Sequence, residues 1–83
     1  METSQWNVAI FFEDDGGRTH AKAVLQTRDG ASMHGEGRAH QQEWDRDVPE
    51  IRQELAASRA LHAVAAKLAN AATEDVRGTG ERV

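Results

Sequence analysis

Histidine is the side chain that changes charge near neutral pH, and this sequence has four, His20, His34, His40 and His62, alongside 14 acidic residues and no cysteine. Without cysteine there is no disulfide framework and no thiolate metal site. A zinc site built from histidine and carboxylate would be announced by H-x-x-x-H or H-E-x-x-H, spacings that set two ligands on one helical face, and neither occurs. Gly35-Glu36-Gly37 has the look of a phosphate-loop fragment but lacks the Lys-Ser/Thr pair and is not followed directly by a helical pattern. No serine sits in a nucleophile elbow with a histidine and an acid to serve it. The acidic pairs Asp14-Asp15 and Glu74-Asp75 fall at a turn and at a helix end, where solvated charge is the ordinary state. The sequence therefore offers no catalytic, cofactor-binding or metal-binding residues and reads as a non-enzyme of unknown function.

The elements that carry these residues follow from periodicity. Trp6, Val8, Ile10 and Phe12 alternate with Asn7, Ala9 and Phe11, which is the period of a half-buried strand. Asp14-Asp15-Gly16-Gly17 is a turn, and Arg18 to Arg28 resumes the alternation with Ala21, Ala23 and Leu25 on one face. A second turn at Asp29-Gly30 leads to Met33, Gly35, Gly37 and Ala39, alternating with His34, Glu36, Arg38 and His40. Paired residues share a face, so an even loop in the first hairpin sets Phe12 opposite Thr19, Ile10 opposite Ala21, Val8 opposite Ala23 and Trp6 opposite Leu25. In the second hairpin a two-residue loop would put the faces out of phase. A three-residue loop, Arg28 to Gly30 with Gly30 left-handed, pairs Leu25 with Met33, Ala23 with Gly35 and Ala21 with Gly37.

From Asp47 the period changes. Asp47 and Glu50 form a capping box around Pro49, and Ile51, Leu55, Ser58, Leu61, Ala65, Leu68 and Ala72 recur at helical spacing, with no break before Gly78. The expected fold is α+β, a three-stranded antiparallel meander packed against one long C-terminal helix. It is one domain over 4–76, with 77–83 a disordered tail. Gly35 and Gly37 beside Ala21 and Ala23 make a shallow trough for the helix. Trp6, Val8, Ile10, Phe12, Leu25 and Met33 would surround it, with Ile51, Leu55, Leu61 and Leu68 supplied by the helix. Ala56, Ala60, Ala63 and Ala66 lie off that leucine stripe, as helix-favouring residues or as a second packing face for a homodimer. Trp44, between the third strand and the helix, covers the open end of the core.

At 83 residues the core is thin, which points to self-association as a way to bury more surface. The expected partner is a second copy, giving a homodimer, or another protein. Phe11 points away from Ile10 and Phe12, so it lies on the outward face. The candidate interaction face is Phe11, His20, Lys22, Val24, His34, Glu36 and Arg38. His20 and His34 stand about two residue pairs apart diagonally, too far to share one ion, so the histidines read as part of a solvated sheet face. The net charge of −4 is concentrated in 1–47, with five basic and nine acidic residues, against five of each in 48–83. That balance argues against nucleic acid and anionic lipid. The N-terminal residues have neither the basic start nor the run of ~7 apolar residues of a signal peptide, so a cytoplasmic protein without a membrane anchor is expected.

The succession Trp-Asn-Val-Ala-Ile-Phe-Phe, Asp-Gly-Gly-Arg-Thr, Ala-x-Ala-x-Leu-x-Thr-Arg-Asp-Gly, His-Gly-x-Gly-x-Ala and Val-Pro-Glu-Ile-x-x-Glu-Leu-Ala-x-x-Arg-Ala-Leu resembles a family of short actinobacterial proteins of unknown function. The likeness runs from Trp6 to about Ala72. It implies a fold like the double-stranded-RNA-binding domain, and with it an alternative function as a modified RNA-binding module. Domains of that type carry a helix before the first strand and a lysine-rich start to the last helix. Here five residues precede Trp6, and Asp47 to Glu54 holds one basic residue against three acidic.

Overall fold

The structure, a computed structural model, describes residues 1–40 and 48–78. Two successive glycines set the first hairpin. Gly16 and Gly17 have φ of 55° and 81°, the left-handed pair that a two-residue turn needs if its twist is to match the strands. Strand β1 (Asn7–Asp15) therefore runs through Asp14 and Asp15 to the turn, and β2 (Arg18–Gln26) starts directly after it. Val8 pairs with Leu25, Ile10 with Ala23, Phe12 with Ala21 and Asp14 with Thr19. This corrects the expected register by two residues. The acidic pair belongs to the strand and not to the loop, and an even shift leaves every side chain on its expected face.

The second hairpin has the expected register, with Leu25 opposite Met33, Ala23 opposite Gly35 and Ala21 opposite Gly37. Gly30 has φ of 88°, and Thr27 and Gly30 close the turn with N–H···O bonds to Ala31 and Thr27 of 3.0 and 3.2 Å. Strand β3 (Ser32–His40) completes an antiparallel sheet of order β1-β2-β3.

Helix α1 (Pro49–Gly78) packs over β2 and β3. Its first turn is closed by bonds from the Ile51 and Arg52 N–H groups to the Val48 carbonyl, at 3.0 and 3.3 Å. Asp47 and Trp44 lie outside the described residues, as do residues 79–83 of the tail expected over 77–83, while Arg77 and Gly78 at its start belong to the helix. Together with Met33 and Leu68, Ile10 and Leu55 flank a core of Ala21, Ala23, Leu25, Ala39, Ala56, Ala60 and Val64. Five of those seven core residues are alanine, so the layer is thin.

The helix is rotated away from the leucine stripe read from the sequence. Ala56, Ala60 and Val64 are buried against the sheet, whereas Ile51 and Leu61 are exposed and of the stripe only Leu55 and Leu68 touch the core. The glycine trough decides this. A Cβ on Gly35 would lie 2.6 Å from the Ala60 carbonyl oxygen and 2.7 Å from the Ala63 Cβ. One on Gly37 would strike the Ala56 carbonyl oxygen and lie 2.5 Å from the Ala60 nitrogen. Backbone meets backbone along this seam, and the alanines at Ala56 and Ala60, which face the trough most directly, admit so close an approach. A leucine turned into the trough would hold the two layers apart and leave unfilled space, at the cost of most of their dispersion contacts. Ala56 and Ala60, with Ala63 at the margin, therefore belong to the sheet-packing face and not to a second face left for a dimer, whereas Ala66 is exposed.

Candidate functional site

Alternation along the strands builds the outward face of the sheet in rows. Phe11, Lys22 and Glu36 stand side by side; Glu13, His20 and Arg38 form the next row, and Ala9, Val24 and His34 the row on the other side. All seven expected interaction residues therefore share one face. Phe11 is the most exposed aromatic there, at 60%. His20 lies diagonally from Glu36, with Nε2 2.6 Å from its Oε1, and its Nδ1 is 3.6 Å from Glu13 Oε1. The hydrogen bond from His20 is the largest influence on the Glu36 carboxyl and, with the lesser help of the charges of His20, Arg38 and His34, holds it below the usual glutamate range against the opposing effect of desolvation. His34 stands two rows from His20, as the alternation predicts. Among the described residues no three histidine or acidic side chains converge as metal ligands.

The two edges of the sheet differ. Along β3 the helix reaches over the edge, where Arg59 Nη1 donates to the Arg38 carbonyl at 2.6 Å and Lys67 Nζ donates to the His34 carbonyl at 2.5 Å. Carbonyls that a neighbouring strand would use are thereby occupied. Along β1 the helix gives no such cover. Because α1 sits over β2 and β3, the helix-side residues of β1 stay largely exposed, Val8 at 47% and Phe12 also exposed with Ile10 alone half-buried, and so does Trp6, just ahead of the strand, at 52%. Beside Trp6 an open cleft is lined by Thr27, Met33, Leu68, Ala71 and Asp75. This exposed flank departs from the sequence reading, in which Trp6, Val8 and Phe12 were expected to close the core.

At the opposite end the β1–β2 turn is tied to the helix start. Arg52, 6% exposed, turns inward and donates from Nε to Thr19 Oγ1 at 3.2 Å, while its Nη2 lies 3.8 Å from Asp14 Oδ1. Thr19, itself buried, donates its hydroxyl proton to the same Asp14 oxygen. Gln53 Nε2 also reaches Asp14, at 3.5 Å. Arg52 is the single basic residue in 48–55, so the helix start presents Glu50 and Glu54 to solvent while its cation works internally.

Residues 4–83 match the Rv2632c-like family. Two mycobacterial relatives are the uncharacterized protein Mb1767 of Mycobacterium bovis and the uncharacterized protein MT1780 of Mycobacterium tuberculosis. Each is 37% identical over 71 residues, covering 86% of this chain and 74% of the relative. No helix among the described residues is long and apolar enough to cross a membrane.

Proposed function

The chain belongs to the Rv2632c-like family, and on that premise we propose that it is a non-catalytic domain that works by self-association through the β1 side of its sheet. One observation carries this reading. The helix covers two strands of three, and Trp6, Val8 and Phe12 are left exposed on the side of β1 where a core would be expected. Large aromatic side chains contribute most of the energy of protein interfaces, and a thin alanine core leaves the fold in need of further burial.

The RNA-binding alternative lacks comparable support. The cation at the helix start is consumed by Thr19 and Asp14, and the charged side chains left facing solvent in 48–55, Glu50 and Glu54, are acidic. Phosphate recognition needs the reverse.

Sedimentation equilibrium from about 1 to 100 μM, a span that corresponds to association free energies from about −8 to about −5.5 kcal/mol, tests the reading. The expected result is a mass rising from 9.1 kDa toward twice that value. A mass of 9.1 kDa across the whole range contradicts it. Duplex RNA added at low salt is expected to leave the sedimentation unchanged; a salt-sensitive complex would favour the alternative.

A further inference from the structure

If β1 is the contact surface, its geometry specifies the partner. Resting on the self-association reading, we infer that β1 pairs antiparallel with the β1 of a second copy about a two-fold axis at Ile10, forming one continuous six-stranded sheet.

Four observations lead there. First, among the described residues the sheet has one edge left for pairing. Arg59 and Lys67 occupy carbonyls of Arg38 and His34 on the β3 edge, while no described residue pairs with β1 on its outer side. Second, the polarity of that edge follows from the ladder. Since the Arg38 and His34 carbonyls face outward from β3, the odd-numbered residues of β3 and β2 bond each other, and the even-numbered residues of β2 bond odd-numbered residues of β1. The N–H and C=O groups of Val8, Ile10 and Phe12 therefore point to the open edge.

Third, the sequence of β1 is self-complementary about Ile10. Antiparallel pairing at that centre sets Ile10 opposite itself, Val8 opposite Phe12 of the second copy and Ala9 opposite its Phe11. Glu13, Asp14 and Asp15 then face Asn7, Trp6 and Gln5, none of them charged. Centring on Phe11 instead would set Val8 against Asp14 and Ala9 against Glu13, and a parallel pairing would stack the three acidic residues on their own copies. Fourth, the exposed area suits the task. An aromatic side chain offers about 150–250 Å², so the exposed parts of Trp6, Phe11 and Phe12 amount to roughly 300 Å² per chain before Val8 and the strand edge are counted. That is a substantial share of the ~800 Å² per partner of a standard interface. Phe11 would then sit beside Ala9 and Val24 of the second copy, so the outward aromatic and the helix-side aromatics are covered by one event.

Because the chain has no cysteine, single-cysteine variants report the register. Directly opposed residues lie ~5 Å apart between Cα atoms, within the span of a disulfide, whereas diagonal neighbours do not. Under mild oxidation Ile10→Cys is expected to form covalent dimer in most of the protein, and Phe11→Cys little. Efficient crosslinking of Phe11→Cys but not Ile10→Cys overturns the register. If neither crosslinks while wild-type protein still sediments as a dimer, the β1 pairing is overturned and self-association stands; a monomer at every concentration overturns both. Ile10 is half-buried, so amide exchange of the wild-type protein provides a check free of substitution. The Val8, Ile10 and Phe12 amides should slow at least about tenfold as concentration rises through the dimer midpoint. Exchange at the same unprotected rate in monomer and dimer refutes the pairing.

Discussion

Replacing Gly37 by alanine adds one methyl group where helix and sheet are in closest contact. Its Cβ would lie 2.5 Å from the Ala60 nitrogen and 2.7 Å from the Arg59 Cβ, and would strike the Ala56 carbonyl oxygen. Two of these are backbone atoms, so no side-chain rotation relieves the overlap and the helix must lift from β3. Over-packing of this kind costs about 1–3 kcal/mol, against which alanine recovers about 0.5–1 kcal/mol of backbone entropy in a strand. A net loss of about 1 kcal/mol is a sizeable part of the 4–12 kcal/mol or so that a chain of this size possesses. It lowers Tm by roughly 4–8 °C. Urea denaturation followed by circular dichroism, at one fixed protein concentration, measures it, with an unchanged m-value as the sign that the two-state slope still holds. Gly78→Ala is the control, because its added Cβ meets nothing within 4 Å; it should leave stability level or slightly raised. If Gly37→Ala were as stable as the parent, the glycine seam would not be what orients the helix.

The rotation of the helix predicts a contrast that the leucine stripe would reverse. Val64→Ala, at a position 4% exposed, should cost about 1–2 kcal/mol, and Leu61→Ala, at 41% exposed, under about 1 kcal/mol in urea titrations of dilute protein. Thr19→Val keeps the shape of a buried side chain but removes the hydroxyl between Arg52 and Asp14. A loss of about 1–3 kcal/mol is expected by the same titration, and no loss would mean that this link is idle. Glu36 has its pKa lowered in the folded protein, so the unfolded chain takes up the proton first and the stability it confers is present above the ordinary glutamate range. The gap between wild type and Glu36→Gln should therefore close as pH falls from about 4.5 to 3; a gap that widens over that range would contradict the His20 pairing.

Much of the fold is legible because β side chains repeat every two residues. The second hairpin follows from matching Leu25 with Met33 and Ala23 with Gly35, and the trough follows from the same bookkeeping. The outward set from Phe11 to Arg38 is legible for that reason too. The first hairpin loop is harder, since any even shift keeps the faces in phase and only the backbone of Gly16 and Gly17 selects the two-residue turn. The facing of the helix is misread when side-chain size alone is weighed. Ile51 and Leu61 make the larger stripe, but a glycine floor selects for closeness of approach, which favours Ala56 and Ala60. The exposed flank of β1 is a consequence of that choice, because where a helix lies across a sheet is not encoded in the alternation of β1. The burial of Arg52 is not legible in sequence for the related reason that it depends on Thr19 and Asp14, far from it along the chain.

The central claim is that protein covers the helix-side face of β1. Trp6, 52% exposed in the single chain, reports on it directly. The chain has two tryptophans, so replacing Trp44 by phenylalanine leaves Trp6 as the sole indole. Its emission is expected to move to the blue, and acrylamide to quench it less, as concentration rises through the midpoint found by sedimentation. An emission that stays that of a solvent-exposed indole at every concentration would contradict it.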